Sequence, residues 1–297
     1  MPTSAVDSTA HWQTVDPKCA RGLIDARLQL HHAAQLATAI GISYLPKRAD
    51  DSHTNLEWLP SLRALASRVV PLSSAFRVAV RPSPFALLLL DERNEAAASF
   101  SLHGRTIANA AQWLRDLLPT VGADPAALTL KRHYTIPSHP VAGGAAFDEI
   151  SESAFEELAR WYGNAALVLT RLASVTPKAS EVRCWPHHFD IATLIEVEPA
   201  RGTESARTVG VGLEPGDNYY AEPYVYVNMY PAPPASRATA LLAGGGCWHT
   251  NEWLGAVLPS SRLRAADQRA QLESFIGSAV AACTELLMDD GRSTRDD

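Results

Sequence analysis

Apolar and polar positions change period several times along the chain, and the changes mark its elements. Between Asp16 and Gly41, apolar residues recur at helical spacing, with Leu23, Ala26, Leu30, Ala33, Ala34, Ala37 and Ile40 on one stripe. Asp16-Pro17 supplies a cap and a proline at the first helical position, so a helix is predicted from there to about Ile40, with Gly41 as its stop. His32 falls on the inward side as a hydrogen-bonded core group, while Arg27, His31 and Gln35 stand on adjoining faces. From Ser74 the period shortens to two. Residues 76–81, 85–91 and 97–102 read as an antiparallel meander, broken by Pro82-Ser83-Pro84 and by a polar turn around Asn94. Thr106 caps a helix to Leu118, and a turn-rich stretch, 119–150, follows. A long helix is predicted over 151–172, strands over 189–197, 208–212 and 224–230, and a last helix over 265–288.

Strands and helices grouped in this way predict an α+β fold, with mainly antiparallel sheet segments packed by long helices into one compact unit. A single domain is expected over 16–289, with sub-halves 16–135 and 150–289, and disordered ends at 1–15 and 290–297. A hydrophobic content of 46% over 297 residues suffices for a large core. The net charge of −6, without a long basic run, gives no footprint for nucleic acid or an anionic membrane surface. The longest apolar run, 85–90, is too short to span a bilayer, and the first dozen residues lack a secretory pattern, so a cytoplasmic location is expected. Cys19, Cys184, Cys247 and Cys283 are widely separated and are expected as reduced thiols.

The densest chemistry lies at 183–190, Arg-Cys-Trp-Pro-His-His-Phe-Asp, just before a β-branched apolar run. This reads as a polar site at the start of a buried strand, and strand alternation places His188 and Asp190 on one face. A second polar concentration, 49–58, is largely turn and capping chemistry, but it leaves Asp51 and His53 as substrate-binding candidates. Tyr224, Tyr226 and Asn228 share a strand face just after Glu222. Gly244-Gly245-Gly246 leads into Trp248-His249, either as a mobile flap or for close backbone approach.

These residues permit two chemistries. His188, Asp190 and His249 have the composition of a two-histidine, one-carboxylate metal site, so the expected cofactor is a divalent metal, iron(II) or zinc, in oxygenase- or hydrolase-like catalysis. Without metal, His188 oriented by Asp190 is a general base, with Glu222 or Tyr224 as acid and Arg183 as an anion clamp. Trp185, Tyr226 and Trp248 would line the substrate. No phosphate-cradling loop or dinucleotide fingerprint is present, so no nucleotide cofactor is expected. The plainer reading keeps the tryptophans in the core and lets the histidines and Asp190 satisfy one another.

At 183–190, Pro215-Gly216-Asp217, 222–226 and Trp248-His249-Thr250 the chain resembles a bacterial family classed only as a domain of unknown function. The resemblance covers most of the chain, from 28–35 through 50–58 to the last helix, and implies membership without an established activity. The function expected from the residues is that of a small-molecule enzyme of the cytoplasm. The alternative is a non-catalytic ligand-binding or scaffold protein with an aromatic-lined pocket. A small molecule is the expected partner in both, with no nucleic acid and no membrane, and oligomeric state is not legible in any of these patterns.

Overall fold

A strand reading Ala-Leu-Leu-Leu-Leu has no polar side to turn to water, so it must be covered on both faces. In the computed structural model, which describes residues 11–148, 152–200 and 205–293, all five of those residues are buried. The fold is α+β, and its sheets are antiparallel. Contacts group the chain into two compact units, one built mainly from Gly22–Gly163 and Arg183–Phe189, the other from Trp12–Arg21, Asn164–Val182 and the chain from Asp190 onward.

In the first unit α1 (Ile24–Tyr44) precedes a five-stranded meander of β1 (Glu57–Leu59), β2 (Ala64–Ala66), β3 (Arg77–Arg81), β4 (Ala86–Leu90) and β5 (Ala96–Ser101), paired in that order. Leu59, Ala64, Ala66, Ala79, Leu88 and Leu90 form one core cluster on this sheet. The small alanines let α1 pack closely against β3 and β2. Helix α2 (Ile107–Leu117) starts at the predicted cap: the Asn109 amide donates to Thr106 Oγ1 and the Thr106 amide to Asn109 Oδ1, a reciprocal capping box. The first half of α3 (Glu152–Val175), to Gly163, and the short β6 (Arg183–Trp185) complete the unit.

The second unit carries β7 (Asp190–Glu198), β8 (Arg207–Glu214), β9 (Tyr224–Tyr230), β10 (Cys247–His249) and β11 (Gly255–Pro259), in the order β10-β11-β9-β8-β7, with α4 (Gln268–Ser293) packed on β8, β9 and β11. Of the ends expected to be disordered, 1–10 and 294–297 lie outside the described residues. Within 11–15, the side chain of Asn164 brackets Gln13, and that of Gln268 brackets Val15, each bonding both the amide and the carbonyl. No helix among the described residues is long and apolar enough to cross a membrane.

Three expectations need correcting. Gly41 does not stop α1, which continues to Tyr44; its missing side chain instead admits the carbonyl of His53, which sits where a Cβ would be. The alternation placing His188 and Asp190 on one strand face fails, because residues 186–189 form a turn and Phe189 adopts φ of 76°. A left-handed phenylalanine costs on the order of 1–2 kcal/mol. Offsetting it, the Phe189 ring stacks on His31 at 4.6 Å and its carbonyl accepts the Tyr162 hydroxyl at 2.6 Å. For Gly244 to Gly246 the close backbone approach is to α4 and not to a ligand: a Cβ on Gly244 would meet the Gln271 carbonyl, the Gln271 side chain donates to the Gly244 carbonyl at 2.7 Å, and the Ala243 amide donates to Ser278 of the same helix.

Two outcomes follow for stability. A Cβ on Gly212 would meet the ring of Tyr226 at 2.5–2.7 Å, whereas one on the exposed Gly277 of α4 meets nothing within 4 Å. In urea unfolding, Gly212→Ala should cost about 1–3 kcal/mol by overpacking, and Gly277→Ala should gain roughly 0.5–1 kcal/mol. Buried His31 donates through Nε2 to the Pro186 carbonyl at 2.8 Å; burial drives its pKa down to about 3, outweighing that bond. The unfolded chain therefore binds a proton below pH 6.5 that the native chain refuses until about 3. Over that window each pH unit should remove roughly 1.4 kcal/mol of stability. Urea unfolding at stepped pH should show this acid slope and should show it flattened in His31→Gln, whatever that variant's stability at pH 7.

Candidate functional site

The site begins with a charge in an apolar strand. Arg77 opens β3 in the run Phe-Arg-Val-Ala-Val, and it is only 4% exposed. A guanidinium in such a place must be held by acceptors on every side. Its Nε donates to the Ser67 carbonyl at 2.6 Å, Nη1 to Asn94 at 3.1 Å, and Nη2 to the Glu57 carboxylate at 2.7 Å. The same Glu57 oxygen takes Arg183 at 3.0 Å. Arg183 is brought there by β6, which docks beside β1 through a reciprocal bridge between Leu56 and Cys184, with N–H···O distances of 2.8 and 2.9 Å. Burial pushes the Glu57 carboxyl up, but Arg77 and Arg183 outweigh it and hold it below its ordinary value.

One carboxylate is thus shared by two guanidinium groups, above which lies a cavity of about 360 Å³. Arg48 and Arg68 also line it, so four arginines and His53 share its wall with one carboxylate. Arg68 is oriented by the Ser52 carbonyl at 2.7 Å and Asn55 Oδ1 at 3.0 Å.

His53 is placed by backbone rather than by side-chain chemistry. Residues 48–54 form consecutive tight turns, with Asp51 N–H bonded to the Arg48 carbonyl, Thr54 N–H to the Asp51 carbonyl, and Asp51 itself at φ of 55°. The notch at Gly41 receives the far end of this loop. The Arg48 amide donates to His53 Nδ1 at 3.4 Å, which leaves the hydrogen of the neutral ring on Nε2. Burial lowers the His53 pKa, more than Asp51 raises it, and Lys47 adds to the lowering. His53 also lines a second cavity of about 270 Å³ together with Lys47, Asp51, Lys131, Arg132 and His133. There His133 Nε2 pairs with Asp51 at 2.9 Å.

Of the expected site residues, Arg183, Asp51 and His53 meet at these cavities, and all belong to the first unit. His188, Asp190, Glu222, Tyr224, Tyr226, Trp248 and His249 line neither. His188 is exposed in the 186–189 turn, with its ring 4.4 Å from that of His187, and Trp185 lies 6.2 Å from His187.

In the second unit Asp190 Oδ2 accepts the Tyr226 hydroxyl at 2.5 Å, and Tyr224 donates to Asp217 at 2.7 Å. Burial, then the Asp190 charge, push the Tyr226 hydroxyl well above its ordinary pKa, so it stays a donor. Its phenol end packs directly over Gly212, where a Cβ would stand. Glu222 accepts from Ser260 Oγ, the Ser261 amide and Ser261 Oγ at 2.6, 2.6 and 2.9 Å, fastening the turn after β11. Trp248 donates to the Ala240 carbonyl at 2.9 Å. His249 bonds at both nitrogens, Nε2 to the Asn251 carbonyl at 2.6 Å and Nδ1 to the Tyr220 hydroxyl at 2.9 Å. Binding a metal would break one of those bonds, and among the described residues no three His, Cys, Asp or Glu side chains are grouped to hold an ion.

Sequence reasoning passed over Arg48, Glu57, Arg68, Arg77, Lys131 and Arg132. Arg77 carried a usable signal, a lone charge inside an apolar strand; the others, Glu57 and four cations, look like ordinary surface charges until the fold gathers them. No curated protein and no solved structure matches the chain. A model described as a family of unknown function (DUF5996) matches residues 21–293, and the chain belongs to that family.

Proposed function

We propose that the chain recognises a small anionic molecule, a carboxylate or a phosphate, in the cavity above Glu57. The observation that carries this reading is the composition of the wall: four arginines and His53 line one cavity, and Glu57, shared by two of those arginines, is the single carboxylate among the lining residues. Such an excess in a chain of net charge −6 is local, and a concave, partly desolvated wall focuses its field on a ligand. Arginine suits the task, since its planar fork matches carboxylate and phosphate oxygens. In this reading the partner is a small molecule of the cytoplasm.

A second reading, an acid–base enzyme acting on such an anion, draws on His53. Its depressed pKa keeps it neutral at pH 7, the state a general base requires, and it stands in the wall of the anion cavity. No step of this reading is routed through His188, Asp190 and His249; both ring nitrogens of His249 are already bonded.

Titration calorimetry with inorganic phosphate, citrate and short carboxylates tests the first reading. At least one should bind, and Arg183→Met should weaken it by about 1.5–3 kcal/mol, the loss of a charged hydrogen bond. If none binds, or if Arg183→Met binds equally well, the reading fails.

The pH dependence has a defined sign. A bound anion raises the His53 pKa from its depressed value, so for a short carboxylate that stays ionised throughout, binding takes up a proton and affinity should rise as pH falls toward that depressed value; phosphate and citrate, which lose charge themselves on acidification, do not report it. The increase is bounded at about tenfold per pH unit, and His53→Gln should abolish it.

A further inference from the structure

Resting on the anion reading above, we infer that one ligand carrying two anionic groups spans both cavities, with His53 at its middle. The loop from Leu45 to Thr54 borders both: Leu45, Pro46 and Arg48 line the larger cavity, Lys47, Asp51 and Thr54 line the smaller, and His53 lines both. A residue common to the two linings makes the two spaces adjacent.

Each space is cationic in its own right. In the smaller, Lys47, Lys131 and Arg132 stand against Asp51, which is already paired with His133. Two like-charged concavities sharing a wall repel one another, and anionic charge on both sides offsets that repulsion.

Size favours one linked ligand over two separate ones. Of the volumes of about 360 and 270 Å³, the first lies just inside and the second below the range typical of small-molecule sites, roughly 300–1,000 Å³, whereas together they fall well inside it. The ligand class is therefore a small molecule with two phosphates, or a phosphate and a carboxylate, on a short polar linker. The shared imidazole would donate from Nε2 toward the linker or the nearer anion.

The test compares methyl phosphate with the bisphosphates of propanediol, butanediol and hexanediol by titration calorimetry on the full chain. One linker length should bind as a single molecule per chain, at least about tenfold tighter than methyl phosphate, because the second anion then binds at the high effective concentration set by its tether. In the Lys47→Gln/Lys131→Gln double variant, both positions being exposed, the bisphosphate-to-methyl-phosphate affinity ratio should fall to below about threefold as that tethered gain is lost. Equal affinity for all probes, two bisphosphates per chain, or an unchanged ratio in the variant overturns the inference while leaving the anion reading standing. Failure of every probe to bind the native chain, or binding unaffected by Arg183→Met, overturns both.

Discussion

Glu57 is the interaction on which the first unit's chemistry depends. Arg77 is tolerated at β3 only because the cost of its burial is opposed: Glu57 at β1 provides the anion while Ser67 and Asn94 take its other N–H groups. Removing one partner from such a pair typically costs about 3–5 kcal/mol, because the other charge is left desolvated. The same carboxylate reaches Arg183, so the ion pair and the Leu56–Cys184 bridge reinforce one another in holding β6. The consequence is electrostatic. One negative charge divided between two guanidinium groups leaves the floor of the cavity positive, and Arg48 and Arg68 add to it.

Precision at the cavity comes from packing that carries no charge. His53 hangs from a loop of tight turns, and loops are ordinarily poor places to fix a side chain. Here the loop's far end is seated against α1, where Gly41 leaves a notch for the His53 carbonyl. The Arg48 amide then sets the ring's tautomer. A helix, a glycine and three backbone hydrogen bonds thus determine which imidazole nitrogen a ligand would meet.

The fold was legible where a period was sustained. The meander β3–β5, the Thr106 cap, α3, α4 and the strands β7–β9 all stand close to where residue patterning puts them. Strands β1, β2 and β10 have three residues each, too few to display an alternation, and were invisible beneath turn chemistry. Gly41 was misread because a helix-stopping glycine and a glycine making room for a neighbour look the same locally. His188 and Asp190 were joined by an alternation that holds only within a strand, and the left-handed Phe189 ends it. The site was legible in part: Arg183, Asp51 and His53 lie at the cavities, but the cations that complete them come from segments that meet only in the folded chain.

The stretches richest in reactive side chains are also those where the chain enters or leaves buried strands, and the two facts have one cause. A buried strand end exposes carbonyls and amides that need partners, and a buried carboxylate or imidazole needs them as much. Asp190 and Tyr226, Glu222 and the Ser260-Ser261 turn, and His249 with Tyr220 and Asn251 are bonded to one another in this way. Density of polar chemistry therefore measures how much buried polarity must be satisfied. Cations of one sign gathered on the wall of a concavity are a different signal, because they give that concavity a field. Around Glu57 four arginines and His53 line one cavity with a single carboxylate among the lining residues, and the functional reading rests there and not on the histidine-rich turn.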